Sequence, residues 1–193
     1  MVEQLTVTER DLRRIFDVID RGRQSGPGEE FPREVLRALG ELIPADDVSF
    51  QLSRPLERQV LALEEVTELP VDLPDGWEDL FWHSYWDEEI CSRPQRTGDY
   101  ESVWKTSDYL SARQLGRSPL GEWFRVLGTR SEICVPFPAR GAEDRRMLLS
   151  RTSGRLFVAE GTVRKHLENI YERLGVASRT AAVATAFPLA DSA

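Results

Sequence analysis

Residues 132–151, EICVPFPARGAEDRRMLLSR, read as two strands folded back on each other. Glu132 to Phe137 and Arg146 to Arg151 are short runs with apolar residues, and the intervening PARGAED supplies a glycine-containing turn. Strands joined by so short a link pair antiparallel, because a parallel crossover needs a dozen residues or more. A second pair stands upstream. Val48, Phe50 and Leu52 alternate with Ser49 and Gln51, as in a half-buried strand, and Val60 to Val66 form its neighbour after a turn over residues 54–58.

Helices precede these strands. Thr8 followed by Asp11 suits an N-terminal cap, and Leu12, Ile15, Phe16 and Ile19 recur at helical spacing before a loop over residues 21–28. The pattern repeats in residues 32–43 with Val35, Leu36, Leu39, Leu42 and Ile43, opened by Pro32 and stopped by Pro44. The expected fold class is α+β: an antiparallel sheet flanked by helices over residues 1–154, then a short C-terminal helical pair over 155–193.

Between the two strand pairs lies an insertion, residues 74–128, that holds all five tryptophans, Trp77, Trp82, Trp86, Trp104 and Trp123. Ordinary core packing accounts for part of it, since Trp77, Phe81 and Tyr85 at i, i+4 and i+8 form one helical stripe. The other reading is an aromatic pocket over one sheet face, with Trp82, Tyr85, Trp86, Trp104 and Trp123 as its ligand-binding residues.

Signs of catalysis are weak. His83 and His166 are the only histidines and assemble no triad, and Asp87, Glu88 and Glu89 read as a solvated helix end. The glycines at 22–28 have neither a strand before them nor the Lys-Ser/Thr of a phosphate loop after them. Cys91 and Cys134 lack metal or disulfide spacing, so no metal site and no cofactor is expected, and an enzyme is not. No apolar run approaches the roughly 20 residues that span a bilayer, and the N-terminus lacks the apolar core of a signal peptide. The expectation is a cytoplasmic protein without a membrane partner.

The net charge of −8 opposes wholesale wrapping of nucleic acid, but it is concentrated in the front. Beyond residue 154 five basic residues (Arg155, Arg164, Lys165, Arg173, Arg179) face four acidic ones (Glu160, Glu168, Glu172, Asp191). Within this tail, Val163, Leu167, Ile170, Tyr171 and Leu174 mark one amphipathic helix that Gly175 stops. Its other face offers Thr162, Arg164, Lys165, His166, Glu168 and Asn169, groups that suit a major groove: Arg and Lys donate to guanine, Glu accepts from cytosine. Ser178 opens a second helix, residues 179–187, rich in closely packable alanines and ended by Pro188.

Residues 158–184, VAEGTVRKHLENIYERLGVASRTAAVA, resemble the third and fourth helices of the LuxR-type helix-turn-helix transcriptional regulators. The resemblance implies that Arg164, Lys165 and Glu168 face bases, and that Thr162, His166 and Arg179 approach the phosphate backbone. It further implies a last helix that contributes to a homodimer, operator DNA as partner, and a small-molecule ligand in a front domain similar to GAF-like or PAS-like sensors. One feature departs from the family, whose motif opens with two further helices. Here only Arg155 to Val158 match the end of the scaffold helix, and MLLSRTSG (147–154) reads as the end of a sensor strand. Two functions follow: a signal-responsive DNA-binding regulator whose DNA contact is impaired, or a sensing or dimerising module that no longer binds DNA.

Overall fold

A computed structural model describes residues 9–24, 31–43, 45–67, 73–87, 90–138 and 141–152, together with Glu172 and Gly175. Five strands, β1 (Asp47–Arg54), β2 (Gln59–Thr67), β3 (Trp104–Lys105), β4 (Ser131–Phe137) and β5 (Asp144–Arg151), form one sheet in the order β2-β1-β5-β4-β3. Every described pairing is antiparallel. Both expected hairpins are present. The 54–58 turn is a 3-10 turn over Pro55–Glu57 closed by Arg58 at φ 52°, and the later turn carries Gly141 at φ 62°.

The hairpins meet through β1 and β5, which pair from Asp47 opposite Ser150 to Ser53 opposite Asp144. Directly opposed residues of an antiparallel pair share a face, so this register sorts the sheet into two sides. On the first side Val48, Phe50, Leu52, Ile133, Val135, Met147 and Leu149 form one core with the helices α1 (Glu9–Gln24) and α2 (Arg33–Leu42). Phe31 closes it, stacked 4.9 Å from Phe50. Both helices match the sequence periodicity, with two differences. Phe16 is exposed rather than buried, and α1 continues to Gln24, through the segment expected to be a loop. Gly22 is buried in that extension, and Arg21 ties it to Asp17 (2.8 Å) and to Glu34 of α2 (3.2 Å).

The second side is covered by the 74–128 insertion. It folds into α3 (Trp77–Asp87), α4 (Arg93–Thr97), α5 (Thr106–Tyr109), α6 (Ala112–Leu115) and α7 (Pro119–Leu127), with β3 between α4 and α5. Strand β3 has no counterpart in the sequence reading, because two residues cannot display an alternation. It places Trp104 opposite Cys134. A second apolar cluster gathers Ile90, Trp104, Leu120, Phe124 and Cys134.

Helix α7 is capped by Ser118, whose hydroxyl accepts the Gly121 amide, and it packs so closely on the end of α6 that a Cβ at Gly121 would lie 1.7 Å from the Leu115 carbonyl oxygen. Backbone on both sides leaves no room to yield, so Gly121→Ala is expected to destabilise the protein by roughly 1–3 kcal/mol through overpacking. Urea unfolding of the variant beside the parent measures this, and an unchanged midpoint would refute the close approach.

Candidate ligand-binding face of the sheet

Strand β1 is buried on both sides, not half-buried as its alternation suggests. The register gives the second side of the sheet successive rows: Asp47, Ser150 and Glu132; then Ser49, Leu148 and Cys134; then Gln51, Arg146 and Pro136; then Ser53 and Asp144. Of these, Ser49, Gln51, Ser53, Asp144, Arg146 and Ser150 are buried. Polar residues are expected on a solvated sheet face; here they line an interior one. That inversion marks the face as a candidate site.

Its centre is a buried ion pair. Arg146 and Asp144, two residues apart on β5, point to the same side and bond each other through Nη2 and Oδ2. Tyr85 from α3 bridges them: its hydroxyl donates to Asp144 Oδ2 and accepts from Arg146 Nη2, both at 3.2 Å, and its ring centroid lies 4.9 Å from the guanidinium carbon. The same Nη2 donates to the Cys91 carbonyl at 2.9 Å. Burial, helped by Asp144, lifts the Tyr85 phenol far above its ordinary range, so it stays neutral. Burial alone would lower the Arg146 pKa, but the facing Asp144 and Tyr85 overcome it and hold the guanidinium charged.

At the other end of the face two carboxylates flank Ser150. Burial pushes Glu132 up to about 7, against the Ser150 hydroxyl 3.4 Å away and the more distant pull of Arg146. Burial, with Glu65 nearby, raises Asp47 to about 6. Cys134, in the next row, has its thiol pushed up by burial and is inert as a nucleophile.

The sequence-derived aromatics separate into two groups. Trp82 and Tyr85 are buried on α3 with ring centroids 5.5 Å apart, and Trp86 stands 5.1 Å from Tyr85, so both tryptophans neighbour the tyrosine that bridges the ion pair. Trp104 belongs to the apolar cluster on β4, and Trp123 packs on that cluster while stacking 6.0 Å from Trp77. The expected stripe of Trp77, Phe81 and Tyr85 holds only in part. Tyr85 is buried, whereas Trp77 and Phe81 are half-buried beside Trp123. Asp144 and Arg146 were not singled out from sequence. The available signal was three charges in a row, Asp144, Arg145 and Arg146, at the start of a strand: alternation sends the first and third to one face together. His83 is exposed and pairs at 3.3 Å with Asp87, as a solvated helix end does, and no metal-holding cluster occurs among the described residues.

Thr162, Arg164, Lys165, His166, Glu168 and Arg179 lie outside the described residues. Gly175 does not, and its φ of 66°, with its backbone N–H donating a hydrogen bond to the Glu172 carbonyl (3.2 Å), fits a helix stop there. Strand β5 runs to Arg151, and Thr152 donates through its amide (2.7 Å) and hydroxyl (2.9 Å) to Asp46 Oδ2, beside the start of β1. The MLLSR part of MLLSRTSG is therefore sheet.

Residues 151–186 match the family model of bacterial regulatory proteins of the luxR family. Among solved structures, the LBD domain of VqsR from Pseudomonas aeruginosa is similar to the chain at 15% identity and a TM-score of 0.54, over 95% of this chain and 97% of that one. The phycocyanobilin-bound GAF domain of a cyanobacterial phytochrome gives 15% identity and a TM-score of 0.54, covering 93% and 96%. SdiA in complex with octanoyl-rac-glycerol gives 15% and 0.50, covering 89% and 70%. At these identities the likeness is one of fold. Comparison with curated proteins yields no match.

Two outcomes follow from the site's electrostatics. Asp144→Asn leaves the Arg146 charge buried without its anion and is expected to cost about 3–5 kcal/mol, whereas the double change Asp144→Asn with Arg146→Met recovers much of the loss; a thermal unfolding cycle measures both. Asp47 and Glu132 keep their protons in the folded state at pH values where the unfolded chain has released them. Stability therefore falls as pH rises from about 4 to 7. Replacing both, Asp47→Asn with Glu132→Gln, should flatten that slope and leave the variant more stable than the parent at pH 8 by roughly 1–3 kcal/mol, read from urea midpoints at both ends of the range. By segment and by fold, the chain joins a segment that matches the luxR-family model to an α+β domain similar in fold to GAF domains.

Proposed function

We propose that this chain is a signal-responsive transcription regulator: the front domain takes a small molecule on the second side of its sheet, and the tail engages operator DNA as part of a homodimer. The observation that carries the reading is the luxR-family segment at residues 151–186 following directly on the last strand of a GAF-like sheet. Tyr85 at the Asp144–Arg146 pair, with Trp82 and Trp86 beside it, forms the polar end of the ligand site, and Trp104 and Trp123 its apolar end. Arg164, Lys165 and Glu168 read bases, while Thr162, His166 and Arg179 hold phosphates, as the family resemblance implies. A ligand seated against β5 has a short path to the tail, since the chain leaves the sheet at Arg151 and Thr152, where Asp46 anchors it.

One observation favours a second reading. Residues up to Arg151 are committed to β5, which leaves only residues 152–161 ahead of the recognition helix read from sequence, fewer than two supporting helices need. A sensing or dimerising module without DNA binding is the form that this loss would produce.

Fluorescence anisotropy of the full chain on a promoter fragment, at two salt concentrations, separates the readings. DNA binding must weaken with salt, because cations are released from neutralised phosphates. Lys165→Ala is expected to lower operator affinity by about 1–3 kcal/mol. Affinity that ignores both salt and this substitution would assign the tail to protein contacts alone.

A further inference from the structure

Charge is divided sharply along the helical insertion. Residues 59–92 contain no lysine or arginine, whereas residues 109–130, which make up α6, α7 and their flanks, carry Arg113, Arg117, Arg125 and Arg130 against one carboxylate, Glu122. All four arginines are exposed, and none forms an ion pair among the described residues. By contrast Arg13, Arg37 and Arg54 are matched by Glu9, Glu34 and Glu57. Helix α1, the other arginine-rich element, mixes its basic residues with Glu9, Asp11, Asp17 and Asp20. On α7 the buried residues are Leu120, Gly121 and Phe124, so Arg125 stands on the outer side, steadied by its Nε donating to the Gly121 carbonyl at 3.2 Å. The row of arginines ends where the tail begins: the Arg130 N–H donates to the Arg151 carbonyl at 2.7 Å, and the luxR-family match starts at Arg151. Asp46 at that point is taken up by Arg151 (3.7 Å) and by Thr152.

We infer that this arginine face of the front domain is a second, sequence-independent contact with DNA, holding phosphates of the duplex beside the stretch that the tail engages. The inference rests on the reading of the tail as a DNA-binding element. A guanidinium is always charged and pairs bidentately with phosphate oxygens. Like charges held near one another without carboxylates repel, so a polyanion relieves the repulsion and gains counterion release. Spacing suits a strand of phosphates. Helix α7 has 9 residues and is about 13 Å long at 1.5 Å per residue. Arg117 before it and Arg125 and Arg130 at its far end are therefore spread over roughly four phosphate steps of about 3.4 Å on one strand. Such a contact supplies affinity without base readout, which is what residues 152–161, too few for two supporting helices, leave lacking.

Fluorescence anisotropy of the full chain across a salt series tests this on two labelled duplexes of equal length, a promoter fragment and an unrelated sequence. The triple change Arg117→Gln, Arg125→Gln and Arg130→Gln is expected to weaken binding roughly tenfold or more at low salt, alike on both duplexes. It should also flatten the log–log salt slope by about 2–3, near 0.9 for each lost phosphate contact. A control with Arg13→Gln, Arg37→Gln and Arg54→Gln removes the same charge from ion-paired arginines and is expected to keep the parent slope. An unchanged slope in the first variant, equal losses in both variants, or a loss confined to the promoter fragment overturns the inference and leaves the tail's DNA contact standing. No binding of either duplex by the parent overturns both. A parent dimer that falls to monomers in the first variant, read by sedimentation, assigns the face to a second copy and likewise overturns the inference. Should the triple variant not fold, Arg117→Gln alone decides: a slope smaller by about 0.9 supports the contact, and an unchanged slope refutes it.

Discussion

The pairing of β1 with β5 is the constraint on which the rest of the molecule depends. It joins residues 47–53 to residues 144–150, 91 to 103 positions apart in sequence, and so carries the loop-closure cost that each hairpin alone avoids. Once made, it turns two marginal hairpins into a five-stranded sheet and gives that sheet two faces of opposite character. The apolar residues of β1, β4 and β5 meet α1 and α2 on one side and supply most of the hydrophobic driving force. The polar residues, set one position out of phase, are turned to the other side.

That second side explains why the helical insertion exists in the form it does. A polar sheet face left in water needs nothing over it, yet α3 and α7 shelter this one with tryptophan, phenylalanine and tyrosine rings. Sheltering makes each polar group consequential. Asp144 and Arg146 survive burial because they neutralise each other and share the Tyr85 hydroxyl, whereas Asp47 and Glu132, lacking so close a cation, respond by holding their protons to higher pH. One face thus contains a buried ion pair and two acids with raised pKa values, sorted by the company each keeps.

The same strand sets the relation between the domain and its tail. Strand β5 is the central strand of the sheet, bonded on both edges, and Asp46 ties down the residue that follows it. Arg151, where β5 ends, is also where the luxR-family match begins.

Much of the fold was legible in residue order. The alternation of Val48, Phe50 and Leu52, the helical spacing of Val35, Leu36, Leu39 and Leu42, and the glycine turn before Arg146 each state a local preference that the fold keeps. The resemblance carried by residues 158–184 was legible as well, and the luxR-family model matches residues 151–186, while the helices read there lie outside the described residues. The candidate site was half legible. Aromatic density pointed to Trp82, Tyr85 and Trp86, while Asp144 was read as the end of a turn and Arg146 as the start of a strand. Short-range periodicity says which residues share a face; it does not say what covers that face. Whether Ser49, Gln51 and Ser53 meet water or an interior was decided only when β5 joined β1 and the insertion covered that face, because burial is a property of the assembled sheet and not of the strand.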